Sequence, residues 1–247
     1  MSKTLIIAEK PSVAKDIAAA LGVARSGDHY EVTDCIVSYC VGHLVEVDVP
    51  EASDRTILPI LPAKFGLKPI DRTKDQFKRV RALMNRPDVS RVVNACDAGR
   101  EGEAIFRLTY ELAGCNKPME RMWLQTMTKS GIVAAWKNRE PGSKYQGMAD
   151  AARSRMESDW LYGINGSRVL FSQAGRVMTP TLALVVRAYL ANTQFISKDY
   201  WEVHGAFKTA AGEYIAKWTP NKDDADEEGE SSKFTDKSKA EAVTAKC

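Results

Sequence analysis

Glu9 and Asp97 each follow directly on an apolar run of strand length, residues 5–8 and 91–96. In an open α/β sheet ligands gather at the carboxyl ends of the strands. Two such strands side by side would bring both acids to one rim, with Glu101 and Glu103 close behind. Converging hard oxygen donors suit Mg²⁺, which is commonly held by one or two carboxylates, with water and phosphate completing its shell. The same residues also have a purely structural use. Asp97 is placed to cap a following helix, and Glu101 and Glu103 fall in its first turn, where acids favour the dipole. Lys10, next to Glu9, puts a cation at a strand–helix junction where a phosphate meets free backbone N–H groups; equally, it reads as a solvated lysine.

A second basic set comprises Arg153, Arg155, Arg168 and Arg176. Arg176 lies in Gln173-Ala174-Gly175-Arg176-Val177, just before a helix expected to open at Pro180. A Gly-Arg pair at such a point suits a phosphate or a plain turn. Trp160 and Tyr162 are candidates for base stacking, but two residues apart on a helix they do not share a face, which favours core packing. The five cysteines form no Cys-x-x-Cys pair, and on a strand Cys35 and Cys40 point to opposite faces, so they read as reduced core thiols. His29, His43 and His204 are too dispersed to suggest a ligand cluster.

The elements that must position these residues alternate strand and helix over the first two-thirds of the chain. Residues 5–8 form a strand, and Pro11 opens a helix that stops at Gly22. Residues 30–41 read as one long strand or a bent pair, and the proline-rich stretch 50–69 as a loop or irregular insert. Thr73-Lys-Asp-Gln76 matches a capping box that opens a helix to about Asn85. A strand at 91–96, a helix at 101–113 closed by Gly114, a strand at 119–124 and a helix at 129–139 follow. This pattern predicts an α/β fold with a parallel-type sheet and flanking helices. Beyond Gly142 come one long helix or two short ones over 145–171, a helix from Pro180 to Leu190, and a hairpin about Ala211-Gly212. An acidic linker at 221–232 and a short amphipathic segment complete the chain; its uncapped end is that expected of a fragment.

With 247 residues, 44% hydrophobic and 27% charged, the composition is that of a soluble globular protein. Its longer apolar runs, such as 182–186, fall far short of the roughly 20 residues of a spanning helix. The amino terminus lacks a secretory signal, so a cytoplasmic chain with no membrane partner is expected. Residues 1–200 carry a net charge of +6 and residues 201–247 carry −3. The basic excess gathers at Arg72, Lys74, Lys78, Arg79, Arg81, Arg86 and Arg91, a solvated helix face unless other features point to nucleic acid.

Taken together, IAEKPSVAKDIA at 7–18, VGHLVE at 41–46, DRTKDQFKRV at 71–80 and DAGREGE at 97–103 resemble the type IA DNA topoisomerases. DAARSRMESDWLYGINGSR at 150–168 and AGRVMTPTLALVV at 174–186 continue the series in the same order, nearest to the topoisomerase III branch. The resemblance covers residues 1–208. It implies a Toprim domain at 1–142, a helical part of the strand-binding domain at 143–198 and the incomplete beginning of an arch domain at 199–247. It also implies Mg²⁺ as cofactor with no organic cofactor, and single-stranded or underwound DNA as partner.

By the same resemblance, Glu9 is a metal ligand or proton-transfer residue, and Lys10 stabilises charge on the phosphate. Asp97 and Glu101 match the outer acids of an Asp-x-Asp-x-Glu motif whose middle position is Gly99 here, implying weaker or substrate-dependent Mg²⁺ binding. Arg168 and the segment Gln173, Ala174, Gly175, Arg176, Val177 and Met178 match the part that approaches the DNA backbone. Gln173 and Met178 depart from the usual Ser and Gln, which leaves backbone contacts there. The family nucleophile sits in Tyr-x-Arg-Thr, and none of the eight tyrosines has that setting. The expectation is the amino-terminal part of a topoisomerase, inactive alone. The alternatives are a non-catalytic DNA-binding Toprim module and, against the 174–186 segment, a Toprim nuclease or primase.

Overall fold

The computed structural model describes residues 2–48, 58–219 and 232–246. Strand β1 (Lys3–Ala8) leads into helix α1 (Pro11–Leu21), with Pro11 at its start and Gly22 closing it in the left-handed region at φ 73°. Three short strands follow: β2 (Arg25–Ser26), β3 (His29–Glu31) and β4 (Cys35–Tyr39). Then come β5 (Val45–Asp48), β6 (Gly66–Pro69), α2 (Lys74–Met84), β7 (Val89–Ala95) and α3 (Arg100–Leu112). Strand β8 (Met119–Arg121), α4 (Lys129–Lys137), β9 (Glu140–Pro141) and the long α5 (Gln146–Leu170) complete the site-bearing part.

The main sheet has the order β2-β3-β4-β1-β7-β8-β9. Its centre is parallel: β1 pairs with β4 and β7, and β7 with β8, while the outer pairs are antiparallel. The expected α/β fold with flanking helices is therefore present. Strand β1 is central because it is apolar on both faces. Leu5 and Ile7 pack with Phe77 and Val80 of α2 and Ile105 and Phe106 of α3. Ile6 and Ala8 pack with Ala14 and Ile17 of α1 and Ile132 of α4. Each fully buried Leu or Ile of that strand contributes roughly 1.5–3 kcal/mol. Cys35 lies on the second face and Cys40 on the first, as alternation requires. Cys35, Cys40, Cys96 and Cys115 are free and buried, and burial pushes the Cys35 thiol up to about 12.

Several local expectations need correcting. Residues 30–41 are a pair rather than one long strand: β3 and β4 are antiparallel neighbours with a turn between them. The capping box does not close: Thr73 Oγ1 donates to the Ile70 carbonyl at 3.3 Å and Gln76 Nε2 to the Tyr39 carbonyl at 2.7 Å. A 3-10 turn over Asp71–Thr73 leads into α2 instead. The proline-rich stretch ends in a strand, since β6 pairs with β5; its residues 50–57 lie outside the described residues. Strand β8 stops at Arg121, short of the expected 124, and Glu140-Pro141 pairs with it as β9. The basic set is largely neutralised: Arg86 meets Glu31 and Asp88, Arg79 meets Asp28, Lys78 meets Asp75 and Arg91 meets Glu120.

The chain divides into two compact units, Met1–Pro180 and Thr181–Cys247. The boundary falls within α6 (Met178–Thr193). In the second unit β10 (His204–Thr209) and β11 (Gly212–Lys217) form the expected hairpin, with Phe207 stacked on Tyr214. Phe234 bridges Trp201 and stacks on Trp218, and α7 (Lys237–Thr244) follows. The expected acidic linker falls, up to Ser231, outside the described residues. Among the described residues no helix is long and apolar enough to cross a membrane.

At the amino-terminal edge of the sheet Glu31 accepts from Arg86 and Lys3. The Arg86 guanidinium holds the Glu31 carboxyl well below its ordinary value of 4.5, against the opposing effect of burial, with Lys3 and His29 adding to the depression. A depressed carboxyl stabilises the fold above its unfolded pKa and loses that contribution as pH falls. Glu31→Gln is expected to cost about 1–3 kcal/mol at neutral pH. The gap to the unmodified chain should narrow below about pH 4.5 in urea unfolding; a gap independent of pH would contradict this account.

Candidate active site

The carboxyl ends of β1 and β7 are adjacent because those strands pair in parallel, Ala8 opposite Ala95. Each chain then turns directly into a helix. Glu9 therefore meets Asp97: its Oε2 accepts the Asp97 backbone N–H at 3.2 Å. Lys10 Nζ lies 3.6 Å from Glu9 Oε1 and 3.3 Å from Asp97 Oδ2. Its ammonium pKa is raised, chiefly by the hydrogen bond to Asp97. Glu9 is buried at 8% exposure, whereas the Asp97 side chain is open to solvent at 56%. Neither α1 nor α3 has a side-chain cap at its amino end. Two sets of unpaired N–H groups thus start beside the acids, a field that favours an anion. A cleft of about 450 Å³ opens beside Asp97, with Val13, Trp123, Gln125 and Thr126 among its walls.

Glu101 does not join Glu9 and Asp97. It accepts from, or pairs with, His43, whose Nε2 lies 2.6 Å from Glu101 Oε1. Glu103 is corrected more strongly. Expected at the rim, it is buried at 1% exposure and bound by Asn94, Arg107 and Arg121. The expected cap is also absent, since Gly99 rather than Asp97 occupies that position.

Sequence reasoning missed three residues here. Arg121 is fully buried at the end of β8 and donates to the carbonyls of Cys96 and Asp97, both at 2.8 Å, and of Asn94 at 3.0 Å. Its Nε lies 3.2 Å from Glu103 Oε2, a charge pairing rather than an aligned hydrogen bond. Burial lowers the Arg121 pKa, and Glu103 opposes that. His43 follows β4, the other neighbour of β1, and Gly42 donates to the Glu9 carbonyl at 3.3 Å. The sheet-edge rule that selected Glu9 and Asp97 applies to His43 too, so it was accessible once β4 was set beside β1. Gly102 is forced: a Cβ there would lie 2.2 Å from the Asp97 carbonyl oxygen. Gly99 is not, since its backbone is extended and an added Cβ meets nothing within 4 Å.

The second group of expected residues lies where α5 ends. Arg168 is in its last turn, half-buried. Ala174 N–H donates to Ser167 Oγ at 3.0 Å, and Gly175 N–H to Thr179 Oγ1 at 3.0 Å. Gly166 lets this loop approach, because a Cβ there would lie 3.0 Å from that of Ala174. Gln173, Arg176, Val177 and Met178 are exposed. Arg176 folds back onto Asp159 of α5, holding that carboxyl below its usual range. Trp160 is packed edge-on against Phe65, while Tyr162 is exposed.

Among the described residues no three histidine, cysteine or acidic side chains converge to enclose a metal ion. Two hard-oxygen donors do converge, which suits an ion that keeps water and takes phosphate as a further ligand.

Residues 4–126 match the family model described as the Toprim domain, so the first part of the chain is a Toprim unit. Residues 143–247 match the model described as DNA topoisomerase. The chain belongs to the type IA DNA topoisomerases, on the topoisomerase III branch. DNA topoisomerase 3 of Shouchella clausii (strain KSM-K16) is 39% identical over 214 residues, spanning 81% of this chain and 29% of that protein. DNA topoisomerase 3 of Staphylococcus aureus (strain MRSA252) is 38% identical over 213 residues, 81% of this chain and 30% of that one. The chain thus spans about 30% of the length of these curated relatives. Full-length topoisomerase I from Thermotoga maritima shares the fold at a TM-score of 0.57 and 21% identity, over 97% of this chain and 37% of that one.

Arg121→Met would strip the carbonyls behind Asp97 of their donor and leave the buried Glu103 with Arg107 as its charged partner and Asn94 as a neutral donor. We expect a loss of about 3–5 kcal/mol in urea unfolding, partly recovered when Glu103→Gln is added. A loss below about 1 kcal/mol would show that the buried pair does not hold this corner.

Proposed function

We propose that this chain is the phosphate-handling and strand-cradling part of a type IA topoisomerase that opens, passes and rejoins single-stranded or underwound DNA. The observation that carries the proposal is the junction of Glu9, Lys10 and Asp97 at adjacent strand ends, between two uncapped helix starts. Lys10, a mobile point cation, binds a phosphate oxygen and stabilises charge that develops there. Glu9, shielded from water and fixed by the Asp97 amide, holds or moves a proton at the phosphate. Glu9, Asp97 and Glu101 are the residues that would hold Mg²⁺, the last of them now paired with His43. When bound, Mg²⁺ supplies positive charge that neutralises the phosphate. Arg168 and residues 173–178 cradle the strand, the latter through backbone groups and Arg176.

In this reading residues 1–142 are the Toprim domain, 143–198 the helical strand-binding part and 199–247 the start of the arch, in a cytoplasmic protein. Residues 1–247 contain no tyrosine in Tyr-x-Arg-Thr. A rejoining reaction needs a covalent carrier that conserves the bond energy, so strand opening belongs to the longer protein. That favours a second reading for the chain by itself: a single-strand binding module without catalysis.

Three outcomes test this. In the full-length protein Glu9→Gln should abolish cleavage of a single-stranded oligonucleotide and leave its affinity within about two-fold. The 247-residue chain should bind single strands with steep salt dependence, and Arg176→Ala should lower the salt slope by about 0.7. Equal loss of binding in both variants would reverse the assigned roles. Gly99→Asp, adding a carboxylate where space is open, should tighten Mn²⁺ binding in calorimetry several-fold; unchanged affinity would place the ion elsewhere.

A further inference from the structure

We propose that Arg155 and Arg176 form one phosphate-holding notch, and that without nucleic acid the carboxylate of Asp159 fills it in the phosphate's place. The inference rests on the reading of Arg176 as a backbone-contacting residue and adds to it a second arginine and an internal competitor.

Arg155 and Asp159 stand one turn apart on α5, with Arg155 Nε 3.7 Å from Asp159 Oδ2. Arg176 arrives from the loop after that helix and grips the same carboxylate with two prongs, Nε on Oδ1 and Nη2 on Oδ2 at 3.3 Å. Two guanidinium groups therefore converge on one acid, leaving a net positive charge at the spot. The geometry is that by which arginine takes two oxygens of a carboxylate or a phosphate alike. The loop backbone does not depend on this contact. It is tied down separately, by Ser167 Oγ on Ala174 N–H and by Thr179 Oγ1 on Gly175 N–H. Arg176 is thus a side chain free to turn on a fixed base.

All three side chains are about half-exposed, at 53% for Arg155, 41% for Asp159 and 44% for Arg176. Exposed pairs of this kind are weak, a factor of about two to five in an equilibrium constant, so an incoming phosphodiester can exchange with the carboxylate. Asp159 then acts in two ways. It keeps both arginines gathered at one point, and it subtracts from affinity by competing for them.

The test is the binding of fluorescent oligo-dT to the 247-residue chain, by anisotropy across a range of NaCl, for Asp159→Asn, Arg155→Ala, Arg176→Ala and the double variant Asp159→Asn/Arg176→Ala. Asp159→Asn should tighten binding about two- to five-fold at low salt. It should also steepen the salt slope by about 0.7, one more single-strand phosphate neutralised. Arg155→Ala and Arg176→Ala should each weaken binding, and the double variant should lose most of the gain. If Arg176→Ala weakens binding while Asp159→Asn does not tighten it, the competitor role is overturned and the strand-cradling reading survives. If Arg176→Ala leaves binding unchanged, that reading fails and the notch fails with it. An unaltered Arg155→Ala would remove Arg155 from the notch.

Discussion

A single buried guanidinium fixes the corner on which the junction of Glu9, Lys10 and Asp97 depends. Parallel strands end in carbonyl groups that have no further partner, and those of β7 end inside the domain, away from water. Arg121 supplies donors to the carbonyls of Asn94, Cys96 and Asp97. Such a charge is costly to bury unless it is paired and hydrogen-bonded. Glu103 pairs with it, and Asn94 completes the set by donating to Glu103 and accepting from the Cys96 N–H. Strand β7, its neighbour β8 and the first turn of α3 are thereby locked together. Asp97 sits on that lock, so its place beside Glu9 follows from interactions that never reach the surface.

The rim itself is an electrostatic compromise. Two acids at close range repel each other. Lys10 stands between them, and the Asp97 amide points at Glu9. The uncapped starts of α1 and α3 add a further positive field. This balance allows negative groups to gather, and leaves capacity for one more anion. Glu101 is kept out of the arrangement by His43, a contact between a loop after β4 and the first turn of α3.

Much of this was legible in the amino-acid sequence because it rests on local rules. The Pro11 start and Gly22 stop of α1, the apolar β1 and the placement of Glu9 and Asp97 all follow from strand length, helix punctuation and the carboxyl-end rule. Glu103 was misread because an acid in a first helical turn carries the same local signal whether it faces water or a buried arginine. Only the pairing of β8 with β7 brings Arg121 to it, and that pairing spans 27 residues of sequence separation between Asn94 and Arg121. The failed capping box has the same origin. Gln76 finds a better acceptor in β4, an element that local spacing cannot supply. Gly99 and Gly102 look alike in a one-dimensional string, yet a side chain fits freely at one and collides with the Asp97 backbone at the other.

The hydrogen bond from the Asp97 amide to Glu9 divides the labour of one carboxylate between its two oxygens. Oε2 is spent on the protein's own backbone, and Oε1 is turned towards Lys10. In the proposed role Glu9 would therefore engage an ion or a proton through Oε1 alone. The hydrogen bond also ties Glu9 to the Asp97 backbone: a swing of Glu9 must break that bond, whereas the exposed Asp97 carboxylate turns without disturbing it.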